Sequence, residues 1–186
     1  MNKQIIRKTP LGAVVLIWKE FRLYPKIIRL ILPKPGISAN EQAYQLYPDS
    51  AKSSCEKIDT VAFSIRGLLE GDDVKISLAA VDLSVCSAFQ KSVLEAQWKI
   101  PRGRVSTYRL IARQVGNSKA ARAVGTALAH NPFPLIVPCH RTIRSDRSIG
   151  GFQGGMEQKR MLLEIENILF DAQQRVVCED FFYNQN

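Results

Sequence analysis

At 186 residues, 46% of them hydrophobic, the chain can bury one core or two small ones and has the composition of an ordinary globular protein. Its longest apolar run, Leu11–Trp18, ends at Lys19 and Glu20, well short of the roughly 18 residues of a membrane span, and the N-terminus lacks the order of a secretion signal, so a cytoplasmic location is expected. The net charge of +9 is concentrated: Lys99 to Arg147 holds ten basic residues against one acid, Asp146, while the remainder is balanced. Such a stretch attracts a polyanion, with nucleic acid the leading partner; a merely solvated basic face, which usually interleaves acids, is the alternative.

In chain order, residues 10–18 and 27–32 are β-branched, apolar runs separated by Tyr24-Pro25-Lys26 and read as paired strands. Pro33 to Glu56 turns to Pro, Gly, Ser, Asn and Lys, a long loop with room for one short helix. Ile58, Val61, Ala62, Ile65, Leu68 and Leu69 then recur at helical steps over 57–70, with Gly71 as the stop. A weaker strand over Val74–Leu78 completes an N-terminal α/β module, residues 1–85.

A helix begins after Ser87 with Phe89, Val93, Leu94 and Gln97 and breaks at Pro101-Arg102-Gly103. Ser106 or Thr107 can cap the next, which runs through Tyr108, Ile111, Ala112 and Val115 to Gly116; Asn117 or Ser118 can cap the one after it, Lys119–Ala129. So tight a glycine turn suggests a helix-turn-helix. The second helix is nearly bare, with Ala120, Ala121, Ala123, Gly125, Ala127 and Ala129, and carries only Lys119 and Arg122 as charges. It suits close approach to a surface or tight packing in a core.

Cys55, Cys86, Cys139 and Cys178 form no CxxC pair, and the two histidines are His130 and His140, so a reducing compartment and no structural metal are expected. Cys139 stands out. Apolar Phe133–Val137 leads in, Pro138 stops regular structure before the sulfur, and His140 and Arg141 supply a base and a positive charge directly after it. Gly150-Gly151-Phe152-Gln153-Gly154-Gly155 follows, costly in chain entropy unless backbone must approach something closely, and matching neither a P-loop nor a dinucleotide fingerprint. A last helix over 155–169 places Lys159, Leu162, Leu163, Glu166, Leu169 and Phe170 at helical spacing, with Glu166 on the apolar stripe, where it needs either a partner or a route to solvent.

The segment Asn131–Arg141 with its Pro138-Cys139-His140-Arg141 core, together with the glycine run, resembles the O6-alkylguanine-DNA alkyltransferases. The resemblance is dense from Phe89 to Glu166 and only architectural over 1–85. It implies an α/β fold with a ribonuclease-H-like N-terminal module containing a small sheet, a mostly helical alkyltransferase domain over 86–170, and a tail, 171–186, beyond the family's usual end. It implies a single-turnover repair enzyme moving the alkyl group of O6-alkylguanine, and more weakly O4-alkylthymine, from duplex DNA to Cys139, without cofactor and as a monomer.

Cys139, His140, Glu166 and Asn131 are the catalytic candidates, with Glu166 orienting His140. The helix bearing Lys119, Ala121 and Arg122 would enter the minor groove, Arg122 replacing the extruded nucleotide and Tyr108 crowding its phosphate; Arg141 is a further DNA contact. Tyr108, Val137, Pro138, Phe152 and Gly154 would form the base pocket. Activation of the sulfur by a water-bridged His140 oriented by Glu166 predicts a thiol that titrates below its free value; a thiol at or above that value would leave activation to the field of Arg141 and neighbouring backbone N–H groups. Thr142, after the signature, departs from the family pattern. A DNA-binding protein that does not react and a cysteine hydrolase using Cys139 and His140 are the rival readings.

Overall fold

The computed structural model describes residues 1–21 and 24–184, which form two compact units, 1–85 with 132–136 and 86–131 with 137–184. The first unit is built on a sheet of order β3-β2-β1-β4, from β1 (Asn2–Thr9), β2 (Gly12–Phe21), β3 (Tyr24–Ile31) and β4 (Ala51–Lys52). β1 and β3 flank β2 in antiparallel pairing and β4 joins β1 in parallel. This makes β2 central. Val14 through Trp18 are accordingly buried without alternation, as a strand covered on both faces requires.

α1 (Ala39–Leu46) starts with a capping box in which Ser38 and Glu41 satisfy each other's backbone N–H groups. Its Ala39 and Ala43 pack with Val15, Ile17, Ile28 and Ile31. α2 (Glu56–Glu70) carries Glu56 and Asp59 in its first turn, favourable to the helix dipole, and Gly71 ends it at φ 105. It packs on β1 and β3.

Three expectations change here. Tyr24-Pro25-Lys26 is part of β3, opposite Phe21, Glu20 and Lys19, so Pro25 lies within the strand and not between strands. β1 escaped the sequence reading because its charged residues Lys3, Arg7 and Lys8 hide a short Ile5-Ile6 core. The strand expected over Val74–Leu78 is absent; β3 receives its neighbour later, where Val81 bridges Ile27 and the Asp82 N–H donates to the Ile27 carbonyl. Residues 132–136 belong to this unit as well. Pro132 accepts a hydrogen bond from the Leu30 N–H, and Leu135 is held at φ 70, a conformation rare for a leucine.

The second unit begins with α3 (Ala88–Trp98), capped by Ser87. β5 (Ser106–Thr107) leads directly into α4 (Tyr108–Gln114), capped by the Thr107 hydroxyl, and Gly116 turns the chain at φ 81 towards α5 (Ala121–Ala129). α5 starts two residues later than expected. Asn117 spends its side-chain oxygen on the Lys119 N–H, and the residue at the cap position is Ala120, which has no oxygen to offer. β6 (Thr142–Ile143) follows a 3-10 turn, Cys139–Arg141, and pairs in parallel with β5. That pairing sets the start of α4 beside the end of the cysteine turn.

α6 (Met156–Ile165) is shorter than the apolar spacing suggested. Asn167 adopts φ 62, its N–H donates to Glu164, and the Ile168 N–H reaches back to Leu163. This is a Schellman stop with asparagine in the place more often held by glycine. Glu166 therefore lies at the helix end, and Leu169 and Phe170 lie beyond it. Nor is the segment from 171 a separate tail. Val176, Phe170, Cys178 and Phe181 pack with Val105, Ile143, Leu163 and Ile168. The Phe182 N–H donates to Val105, the Ser106 hydroxyl to Phe182, and the Tyr183 hydroxyl to Ala96.

Candidate active site

Cys139 is 5% exposed and lines a cavity of about 360 Å³ with Tyr108 from α4, Gly125, Leu128 and Ala129 from α5, and Gly151, Phe152 and Gln153 from the glycine-rich loop. Tyr108 can lie here because its neighbours are small. A Cβ on Gly150, whose φ is 70, would come within 3.1 Å of the Tyr108 oxygen, and one on Gly125 within 3.8 Å of its ring. Of the expected pocket residues, Tyr108 and Phe152 line the cavity. Val137, Pro138 and Gly154 do not; Val137 is fully buried behind the turn, and Gly154 packs so tightly on Gln158 that a Cβ would overlap its side chain.

Burial dominates the sulfur and pushes the Cys139 thiol above its ordinary value, against the expectation that it titrates below it. Four groups oppose burial: the Asn131 side chain, the charge of Lys159, and the backbone N–H groups of Cys139 and His140. Asn131 is anchored by a 2.9 Å hydrogen bond to the Val137 carbonyl. The resting site holds a protonated thiol surrounded by groups that favour the anion.

His140 is fully buried, and burial lowers its basicity more than Glu166 raises it, so the ring is neutral at neutral pH. Glu166 Oε1 lies 2.8 Å from Nε2. A carboxylate only accepts, so Nε2 carries the ring proton and Nδ1 presents a lone pair, with no hydrogen-bond partner among the described residues. This is the tautomer a base needs.

Arg141 corrects an expectation. It is 7% exposed, its Nε and Nη2 grip both oxygens of Glu166 at 2.7 to 3.0 Å, and its Nη1 donates to the Ile100 carbonyl at 2.6 Å. A guanidinium so engaged is not offered to DNA. Nor is it the cation acting on the sulfur.

That cation is Lys159, to which the sequence reading gave no role although it stands on the apolar stripe of α6. It is fully buried, its Nζ donates to the carbonyls of Thr142 at 2.6 Å and Gly151 at 3.2 Å, and burial lowers its pKa to about 8. The available signal was a lysine at helical spacing with Leu162, Leu163 and Glu166, a position that is costly unless the charge is used.

Burial alone would raise Glu166, but His140 and Arg141 outweigh it and hold the carboxyl at about 2, against an ordinary 4.5. Its folded pKa is depressed, so its contribution is present above pH 4.5 and is lost as pH falls towards 2. Acid titration followed by circular dichroism should show wild-type stability falling through this window by about 3 kcal/mol more than that of Glu166→Gln. Parallel acid curves for the two would reject the assignment.

Lys119 and Arg122 are exposed and Ala121 half-buried at the start of α5, whose Ala120 cap leaves the first N–H groups of the helix without a side-chain acceptor. Among the described residues no group of His, Cys, Asp and Glu is arranged to hold a metal, and no helix is long and apolar enough to cross a membrane.

Fold and site together define an α/β protein with a buried cysteine at the wall of a small cavity, ringed by groups that favour its anion. The family described as 6-O-methylguanine DNA methyltransferase, DNA binding domain, matches residues 88–168. A methylated-DNA--protein-cysteine methyltransferase of Methanosarcina acetivorans is 42% identical over 165 residues, 87% of this chain and 96% of that protein. One from Methanothermobacter thermautotrophicus is 44% identical over 110 residues, 59% of this chain but only 61% of its own length. The crystal structure of Mycobacterium tuberculosis OGT in complex with DNA superposes with a TM-score of 0.73 at 29% identity, covering 90% of this chain and 93% of that one. The chain belongs to the methylated-DNA--protein-cysteine methyltransferase family.

Proposed function

We propose that the protein repairs duplex DNA by moving the alkyl group of O6-alkylguanine, and more weakly of O4-alkylthymine, onto Cys139, once per molecule and as a monomer. The observation that carries this reading is the Cys139 sulfur in the wall of a base-accepting cavity, backed by a neutral His140 that Glu166 holds in the basic tautomer. The thiol proton passes through a water to His140 Nδ1, and the sulfur attacks the alkyl carbon. An S–C bond forms as the C–O6 bond breaks, its electrons staying on the guanine, which takes up a proton. Burial raises the Tyr108 hydroxyl above its usual pKa, so it remains protonated and can donate to the departing base. The balance needs no external cofactor, and a thioether is not hydrolysed under mild conditions, so the protein is consumed.

The target base must leave the stack to reach the cavity. Lys119 and the uncapped start of α5 suit backbone phosphates, and Arg122, exposed at the second position of a helix otherwise lined with small residues, suits the gap left by the flipped nucleotide. Arg122→Ala should slow reaction with an alkylated duplex by about one to three powers of ten, since flipping costs a few kcal/mol, while hardly changing reaction with free O6-benzylguanine. Equal losses on the two substrates would remove the role.

The test of the whole reading is to incubate the protein with a duplex containing O6-methylguanine and weigh its tryptic peptides. One methyl group is expected, on Ala123–Arg141, with no further turnover. Methylation at Cys55, Cys86 or Cys178, or repeated turnover, would overturn it.

A further inference from the structure

Gln97 and Thr142 are both fully buried, yet neither lines the cavity. From α3, the Gln97 amide spans the Cys139–Arg141 turn: Nε2 donates to the Pro138 carbonyl at 2.7 Å, and Oε1 accepts from the Thr142 hydroxyl. One side chain thus grips the residue before the turn and the residue after it. A leucine or methionine would fill this volume without burying an amide that must then be satisfied, so the polar pair calls for a reason beyond packing.

The reason lies in the peptide that Gln97 holds. The Pro138 carbonyl and the Cys139 N–H are two ends of one planar group, so fixing the first fixes the second. That N–H donates to the Val137 carbonyl at 2.8 Å and, with the N–H of His140, also favours the thiolate form of Cys139. The Pro138 carbonyl already accepts the Arg141 N–H at 3.0 Å within the turn, and a second donor from α3 ties the turn to a rigid element and further polarises the peptide.

We propose that Gln97, clamped by Thr142, is a positioning residue for the reaction of Cys139, setting the Pro138–Cys139 peptide plane so that its N–H and the sulfur are held in register with the cavity. The proposal rests on Cys139 as the alkyl acceptor. It also gives Thr142, the departure from the family pattern next to the signature, a partner. The other groups around the sulfur come from other elements: Lys159 from α6, whose Nζ donates to the Thr142 backbone carbonyl that side-chain changes there retain, Tyr108 from α4, Asn131 after α5, and His140 with Glu166 and Arg141 behind it.

The test compares Gln97→Leu, Thr142→Val, the two combined, and Thr142→Ser. Each of the first two strands a buried polar partner and should lower the melting temperature, whereas the combination removes both and should regain it. Labelling of the Cys139 peptide is followed across pH by mass spectrometry with O6-benzylguanine and, separately, with iodoacetamide, which requires no base recognition. The stable double variant should react about tenfold more slowly at neutral pH with both reagents, its thiol midpoint raised by about one unit, because one unit is a tenfold change in thiolate.

Thr142→Ser, which keeps the hydroxyl, should retain the wild-type rate and midpoint. A double variant with wild-type rates and midpoint would overturn the proposal, leaving Gln97 as a space filler. Slowing with O6-benzylguanine alone would overturn it too, by moving the defect to base recognition. Should the double variant not fold, Gln97→Met with Thr142→Val supplies an unbranched replacement for the same comparison. A wild-type Cys139 labelled by iodoacetamide and untouched by O6-benzylguanine would overturn the acceptor reading itself, and with it this proposal.

Discussion

Replacing Cys139 with alanine will leave the protein able to bind duplex DNA and unable to accept an alkyl group. The loss should be complete, because in the proposed reaction the sulfur is the bond-forming atom and none of the groups around it can take its place. In that reaction Asn131 and Lys159 favour an anion, His140 takes a proton, and Tyr108, in the wall of the same cavity, gives one; none of them offers a sulfur. Binding should persist because Lys119 and Arg122, at the start of α5, are exposed whereas Cys139 is buried. The measurement pairs transfer of a radiolabelled methyl group with a filter-binding or anisotropy titration. Residual transfer by the alanine variant would mean another acceptor; lost binding with intact folding would mean that the cysteine turn takes part in holding DNA.

Glu166→Ala will be the most destabilising single change at the site. The carboxylate answers two donors of Arg141 and the ring of His140 from a position 2% exposed, and its removal leaves the buried Arg141 guanidinium, among the described residues, with the Ile100 carbonyl. Breaking one side of a buried ion pair in this way typically costs about 3–5 kcal/mol. Thermal melts of wild type and variant would give the size. Arg141→Met in the same chain should return part of it, since the uncompensated charge is then gone. Reaction with O6-benzylguanine should remain slow in that double variant even where stability returns, because His140 has lost the group that sets its tautomer. A Glu166→Ala protein with unchanged melting would mean that the buried cluster contributes nothing to stability.

The parts of this site that could be read from sequence are those in which one residue type announces a chemistry. Cys139 with His140 beside it, the basic stretch, and the small residues of α5 belong to that group. So does Glu166, because a carboxylate on an apolar stripe needs a partner. What could not be read is where a side chain spends its charge. Arg141 and Lys159 are both cations of the same domain, yet one is locked onto a carboxylate and the other, held by two carbonyls, exerts its charge on the sulfur. Only the pairing of β5 with β6 and the docking of α6 decide between them.

The direction of the Cys139 titration is not legible in the sequence for a related reason: adjacent charges are visible there and the depth of burial is not. In the fold, β2 and α2 were plain from their apolar periodicity. β1 was not, because strand pairing rescued a segment whose own composition is polar. The early end of α6 turned on Asn167 taking a left-handed conformation that asparagine adopts only in some contexts.

The path of the chain has a consequence for how this protein can be made. The first unit is complete only when Pro132–Ile136 has joined it, after 46 residues of the second unit, Cys86–Asn131, have already been laid down. On the ribosome the sheet therefore emerges early but waits for its last piece, including Phe133, Leu135 and Ile136, each no more than 2% exposed in the finished protein. Residues Val137 to Arg141, which complete the nucleophilic turn, are the next to appear. Vectorial synthesis thus delivers the reactive cysteine just after the segment that closes the first unit. A cut after residue 85 would part the first unit from Pro132–Ile136, five residues that pack within it.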